Sequence, residues 1–318
     1  MKYNKTVVTA CDSNYIWGAY ILVASLCYFN VKSYKKVLGI ILTEEEQELL
    51  NQFPDTQVVN SNRETDKSVC LMKPHAFFSA ETDLIAWMDS DCIVTGDVTD
   101  FIEVEDDELQ IRFRSFEENS GVYRNYYGKN DEPGLIPHKV LDTWRVDVND
   151  YDDPQISTVC ETNCFVIRKK NLDFIQLWKT QMEKVIIDNN LQVYDKNSVG
   201  YFMTDESVLN SLMAYSSKAL KVKEYQFDKD KSKLLVHFGL NPKPWIHWTK
   251  RGLLHYDLTM EILDWCKRQG YKLPPFPSSF RPNNKYKELL MANIRHYFNS
   301  FKYRVSTTLH SFHRKVRN

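Results

Sequence analysis

Leu84-Ile85-Ala86-Trp87-Met88 is an unbroken apolar run, followed by Asp89-Ser90-Asp91 and then Cys92-Ile93-Val94. A strand with one wet face alternates; one that is apolar throughout is covered on both faces, as in the parallel sheets of α/β proteins. The flanking sequence agrees. Residues 5–10 read as a strand, 17–29 as an apolar helix, 36–42 as a second strand and 58–60 as a short third. Thr43, with Glu46 three residues on, spells a capping box, and Lys73-Pro74 is expected to open a helix running to about Thr82. Strand and helix alternate, so the expected fold class is α/β with a mostly parallel sheet flanked by helices. Further on, 162–168 reads as a strand, followed by a helix to about Asn189. Thr204 reads as the cap of a helix through Leu212, and 234–238 as another strand. Residues 116–154, rich in Asn, Asp, Gly, Tyr and Pro, read as a loop-rich insertion or lid.

Two carboxylates one residue apart at the end of a buried strand are costly unless a cation or hydrogen-bond donors compensate them. Asp89 and Asp91 offer hard oxygen ligands for Mg²⁺ or Mn²⁺, ions that commonly bridge to phosphate. The carboxyl end of a sheet strand is also where α/β proteins bind ligands. The tripeptide alone is equally a polar strand end. A second copy, Asp228-Lys229-Asp230, lies in Lys-rich sequence and reads as a solvated turn.

Composition removes other options. The chain has 318 residues, a formal net charge of −1 and no basic excess that would mark a nucleic-acid binder. Its seven cysteines include no CxxC pair, which argues against a disulfide framework or a cysteine metal site. There is no GxGxxG and no P-loop, so any bound diphosphate must be neutralised by something other than a glycine-rich backbone cradle. No signal-peptide core is visible at the N-terminus, and the longest apolar stretch, 19–29, is too short to span a bilayer. A cytoplasmic catalytic side is therefore expected.

With these elements in place, the sequence resembles the retaining nucleotide-sugar glycosyltransferases of family 8, which include bacterial lipopolysaccharide galactosyl- and glucosyltransferases and glycogenin. The resemblance runs in order over most of residues 5–250. It is carried by Val7-Val8-Thr9-Ala10-Cys11-Asp12-Ser13-Asn14-Tyr15, by Lys73, by Trp87-Met88-Asp89-Ser90-Asp91 and by Thr162-Asn163-Cys164-Phe165. It continues in Asp205-Glu206-Ser207-Val208-Leu209-Asn210 and ends in His237-Phe238-Gly239-Leu240-Asn241-Pro242-Lys243-Pro244-Trp245. What it implies is a GT-A type, Rossmann-like domain over 1–280 and a metal-dependent hexosyltransferase using a UDP-sugar. Asp89, Asp91 and His237 would ligate Mn²⁺ (or Mg²⁺), and Lys243 would meet the diphosphate beside Ser90 and Gly239. Thr9, Ala10, Asp12 and Tyr15 would line the base and ribose pocket, and Lys73 would face the donor. Asn163, Asp205 and Glu206 would surround the transferred sugar as the catalytic group. A glycan or glycolipid would be the acceptor, in bacterial surface polysaccharide or lipopolysaccharide synthesis, with retention at the anomeric carbon.

The sequence also departs from the family. Gly239 falls two residues after the histidine instead of three, with Leu240 in the usual place. Cys164 and Phe165 follow Asn163 where a glycine is usual. The family's Asp-Gln becomes Asp205-Glu206, which puts a carboxylate where an amide is the rule. Two rival readings stay open: a sugar-1-phosphate nucleotidyltransferase, and a non-catalytic carbohydrate- or lipid-binding protein with a degenerate transferase fold. Residues 281–318 carry nine Lys/Arg and one acidic residue. Leu290, Ile294, Tyr297, Phe298 and Phe301 recur there at helical spacing among the basic residues. This is the composition of a helix that lies on an anionic membrane, here the inner face of the cell membrane.

Overall fold

Strands β1 (Lys5–Cys11), β2 (Tyr34–Ile40), β3 (Thr56–Ser61), β4 (Leu84–Met88), β6 (Glu108–Phe113), β7 (Cys160–Arg168) and β8 (Lys221–Glu224) form one sheet in a computed structural model of the chain. Their order across it is β3-β2-β1-β4-β7-β6-β8. The structure describes residues 1–61, 69–188, 198–225 and 234–298. Neighbours pair in parallel from β3 through β4 and again between β6 and β8; β7 runs antiparallel to both β4 and β6. The expected α/β class with a mostly parallel sheet is what the chain forms. A separate two-stranded ribbon joins β5 (Cys92–Val94) to β9 (Leu235–His237).

The elements also include helices α1 (Ile16–Tyr28), α2 (Glu44–Asn51), α3 (Val69–Phe78), α4 (Phe116–Tyr123), α5 (His138–Val148), α6 (Leu172–Asp188), α7 (Thr204–Tyr215) and α8 (Tyr256–Arg268). Strand β4 shows why its sequence is apolar throughout. Ile85 and Trp87 join one cluster with Phe77, Phe165 and Trp178, while Leu84, Ala86 and Met88 join another with Leu22, Leu26 and Val94. Phe77 stacks on Phe165 with ring centroids 5.0 Å apart, and Phe165 meets Trp178 edge-on at 5.8 Å. Each such fully buried side chain contributes about 1.5–3 kcal/mol. Helix α1 is buried on every side from Ile16 to Leu26, matching its apolar circumference. The capping box at α2 forms as expected, with the Thr43 side chain accepting from the Glu46 N–H and the Glu46 side chain accepting from that of Thr43.

Two local expectations are corrected, and a third gains detail. Pro74 lies inside α3 instead of opening it, because Leu71 and Met72 ahead of it already pack on the core from the helix; its ring removes one backbone donor there. Thr204 is the first residue of α7 and not its cap; Met203 holds that position, with its N–H donating to the Ser207 hydroxyl at 3.3 Å. Residues 116–154 contain two helices. Ser115 and Glu118 form a capping box that starts α4, and Val140 and Trp144, four residues apart, bury one face of α5. Most of the Asn, Asp, Gly and Pro lie in the segments between and after these helices, so the stretch is still rich in loop.

By compactness the described chain divides into Met1–Val236 and His237–Asn318. The composition, by contrast, changes at residue 281, so contact density and charge mark different places. In the second unit Trp248 is fully buried among Phe238, Tyr256 and Phe280. Residues 285–298 are helical there. Glu288 and Ala292 are buried, and Arg295 donates to the Trp248 carbonyl at 3.0 Å. No helix among the described residues is long and apolar enough to cross a membrane.

Candidate active site

Strands β1 and β4 run parallel, so their carboxyl ends fall on one edge of the sheet. At the end of β4 the chain turns at once. The Asp89 N–H donates to the Asn163 carbonyl of β7 at 2.8 Å, and the Cys92 N–H returns to the Asp89 carbonyl at 2.9 Å. Strand β5 then starts, anchored to α1 by the Val94 N–H, which donates to the Ser25 hydroxyl at 3.1 Å. The two aspartates are thus fixed at both ends of a tight turn, and Ser90 and Asp91 are buried within it.

The compact-unit division falls within β9, and His237 remains the last residue of that strand, whose ribbon partner β5 begins one residue after Asp91. Ligand atoms of Asp89, Asp91 and His237 lie within 4.8 Å of one another. Two carboxylate oxygens and one imidazole nitrogen at this spacing fit a divalent ion of the Mn²⁺ kind. Gly239 explains itself at this point. A Cβ there would stand 2.7 Å from His237 Cε1 and 3.0 Å from Nδ1, so only glycine leaves the ring where it is. The close approach of the imidazole accounts for a glycine at this position. Lys243 is buried in the second unit and donates to the Phe238 carbonyl at 2.9 Å.

Lys73 is 5% exposed. Its ammonium lies 3.0 Å from Asp89 Oδ1 and 2.7 Å from Asp205 Oδ2. It also donates to the carbonyl and the hydroxyl of Thr162, each at 3.3 Å. The two carboxylates hold its pKa well above the ordinary lysine value against the opposing effect of burial. The Trp87 indole N–H donates to the same Asp89 Oδ1 at 2.8 Å. Asp89 is therefore oriented by two donors before any ion binds, the kind of support a metal ligand needs.

At the end of β1, Asp12 accepts from the Tyr15 N–H and starts a single turn over Ser13–Tyr15. Burial, and then the charges of Asp91 and Asp12, push the Tyr15 phenol up to about 12, so it remains a neutral hydroxyl. Thr9 and Ala10 are buried in β1, and the Thr9 hydroxyl has no hydrogen-bond partner among the described residues. Asn163 gives its carbonyl to Asp89 and its amide to Glu161 Oε2 at 3.4 Å. Asp205 and Glu206 occupy the first turn of α7, where the helix dipole favours carboxylates. Asp205 also accepts from the Thr162 hydroxyl at 3.3 Å.

Sequence reasoning missed Arg114. It follows β6 directly and grips Glu206 with two nitrogens, Nη1 to Oε1 at 2.5 Å and Nη2 to Oε2 at 3.1 Å. Arg112 and Glu161 continue the network. Two arginines at alternate positions at a strand end were the available signal; their acidic partners, distant in sequence, were not visible. Arg114 also lines an open cleft of about 560 Å³ with Phe113, Phe116, Gln155, Ser157 and Thr158 among its other walls. The second DxD, Asp228-Lys229-Asp230, lies outside the described residues.

No family model and no curated protein matches the chain. Solved structures do. The glycosyltransferase GlyE of Streptococcus pneumoniae TIGR4 superposes with a TM-score of 0.53 at 15% identity, over 85% of this chain and 64% of that one. The bifunctional glycosyltransferase WbbM gives 0.53 at 14%, over 81% and 49%. The galactosyltransferase LgtC, solved with donor and acceptor sugar analogues, gives 0.52 at 14%, over 85% and 97%. This chain thus spans less than two thirds of GlyE and about half of WbbM, but nearly all of LgtC. It has the GT-A glycosyltransferase fold.

Proposed function

We propose that this chain is a metal-dependent glycosyltransferase that moves a hexose from a UDP-sugar to a hydroxyl of a glycan or glycolipid, with retention, in bacterial surface polysaccharide or lipopolysaccharide synthesis. The observation that carries the reading is the Asp89–Asp91–His237 cluster, placed at the carboxyl edge of a sheet whose fold is that of solved glycosyltransferases. A divalent ion held there would supply positive charge to the departing diphosphate. Lys243 would add a second positive charge to that leaving group. Tyr15, neutral and half-buried, would lie against the base, with Thr9, Ala10 and Asp12 around the ribose. Asn163, Asp205 and Glu206 would face the hexose, and the cleft beside Arg114, lined by aromatic, hydroxyl and amide side chains and by Glu224, would suit an acceptor glycan. An active-site mutant of LgtC, in which glutamate replaces glutamine, has been solved. This chain carries Glu206 where the family's Asp-Gln pair has its amide.

The test needs no acceptor. With Mn²⁺ present, UDP at a hundred times its dissociation constant should stabilise the chain by about 2.7 kcal/mol, and chelation should abolish the effect. Slow hydrolysis of UDP-glucose or UDP-galactose should release UDP. Release of pyrophosphate from a sugar phosphate and UTP would favour the nucleotidyltransferase reading, and protection by UDP without turnover would favour a binding protein.

The reading extends to the tail. On the helix over 285–298, Leu290, Ile294, Tyr297 and Phe298 are exposed, on sides other than the one that buries Glu288 and Ala292. Phe301, Lys302, Arg304, Arg314, Lys315 and Arg317 lie outside the described residues. An apolar surface among basic residues would rest on an anionic bilayer. The full chain should co-sediment with vesicles containing phosphatidylserine, and Ile294→Glu with Phe298→Glu should release it. Equal binding to neutral vesicles, or none to either, overturns the membrane reading.

A further inference from the structure

Glu206 is 9% exposed. A carboxylate so placed is stable only with donors or a cation, and the molecule supplies an unusually complete set. Both of its oxygens receive an Arg114 nitrogen, the forked geometry that fixes orientation as well as charge. Arg114 is fixed in turn: its backbone N–H donates to the Val159 carbonyl at 2.9 Å, and its Nε lies 3.5 Å from Glu161 Oε1. Glu161 Oε2 is held by Arg112 at 2.7 Å, and Arg112 pairs with Glu118 at 2.7 Å. The backbone of Glu206 is tied down as well, because the Asn210 amide donates to its carbonyl at 2.8 Å and to that of Cys160 at 3.0 Å. A buried ion pair is poor value as mere stabilisation, since apolar side chains of the same volume do as well or better. Holding one carboxylate in one orientation, through an arginine that itself lines a cleft, is what such a pair does that apolar packing cannot.

We propose that Arg114 is a positioning residue: it keeps Glu206 an oriented carboxylate at the sugar end of the site. The inference rests on reading the chain as a glycosyltransferase with Glu206 near the transferred hexose. Arg114 does not meet the sugar; it acts through Glu206. Other groups face the same carboxylate: Glu161 and Cys160 from β7, Asp205 from its own helix and Tyr123 from α4. Burial pushes the Glu206 carboxyl up, and Arg114 pulls it back down. The carboxylates of Glu161 and Asp205 push it the same way as burial, so loss of Arg114 leaves no cation in this group to oppose them.

The experiment compares Arg114→Gln, Arg114→Lys, Glu206→Gln and the Arg114→Gln/Glu206→Gln double variant in the full chain. Mn²⁺-dependent UDP binding serves as the check on folding. The acidic limb of the pH profile for UDP-glucose and UDP-galactose hydrolysis should move up by about 1–3 pH units in Arg114→Gln. In Arg114→Lys it should return near wild type with a lowered kcat, because one ammonium replaces a fork. The double variant should be no slower than Glu206→Gln alone, since the two act as one unit. An unshifted limb in a folded Arg114→Gln, or fully additive losses, overturns the proposal. Carbon-13 NMR titration of the Glu206 carboxyl reads the same shift without turnover. A shifted titration in a chain that hydrolyses no UDP-sugar sinks the transferase reading and leaves the pairing intact; an unshifted titration sinks the pairing alone.

Discussion

Asp91→Ala should lower UDP-sugar turnover by about 10²–10³-fold or more, on the scale of removing an electrostatic group from a developing charge. Its melting temperature in chelator should stay at or above that of wild type. The two outcomes belong together. Asp91 is buried beside Asp89 in a turn already closed by backbone hydrogen bonds. The backbone hydrogen bonds that close the turn are made by Asp89 and Cys92, and removing one of two adjacent like charges relieves repulsion in the metal-free protein. The same substitution should abolish the Mn²⁺-dependent protection by UDP. Gly239→Ala should act in the same direction with a smaller loss, because the added methyl would lie 2.7 Å from the His237 ring and push one ligand aside while leaving both carboxylates in place. Excess Mn²⁺ should recover part of the Gly239→Ala loss and none of that in Asp91→Ala. An Asp91→Ala chain that unfolds without metal, or retains turnover, would mean that the turn is structural.

The part of this site that was legible in the sequence is the part built by local pattern. The all-apolar β4 announces burial on both faces, and the carboxylates that follow it can only be at a sheet edge. The capping box at α2 is equally local. His237 and Lys243 carry no such signal; they entered only through resemblance, since a histidine nearly 150 residues from Asp89 and Asp91 has no period that would betray it. Arg114 was invisible for the same reason in stronger form. Its partner lies 92 residues away, and β6 is interrupted by a register shift at Ile111/Arg112, which blurs its alternation. Residues 116–154 hold two helices that their composition does not announce. Their Asn, Asp, Gly and Pro lie mostly around two helices whose buried apolar positions, Tyr123, Val140 and Trp144, are too sparse to raise a helical period above a polar background. Long-range pairing and thin amphipathic helices are where sequence reading stops.

Lys73→Met should cost stability as well as activity, about 3–5 kcal/mol, seen as a fall in melting temperature on the order of 10 °C. A lysine whose role was confined to meeting the donor would show the second loss without the first. The structure separates these cases because the ammonium is buried between Asp89 and Asp205, and Asp205 is itself 3% exposed. Methionine matches the length and the packing against Trp87, so the cost is that of stranding the Asp205 carboxylate in a low-dielectric site and not that of a cavity. Asp205→Asn in the Lys73→Met background should therefore recover a large share of the stability, whereas on its own it leaves Lys73 one partner short and destabilises. The pH dependence follows from the raised lysine pKa. The pair contributes in full below the ordinary lysine value of 10.5, and its contribution disappears only as pH climbs through the higher folded value. Wild type and Lys73→Met should accordingly differ by a constant amount across neutral pH and converge in strong alkali. A constant difference that persists there, or a double variant no more stable than Lys73→Met, would place the cost in packing and remove the charge bridge between the Asp89 turn and α7.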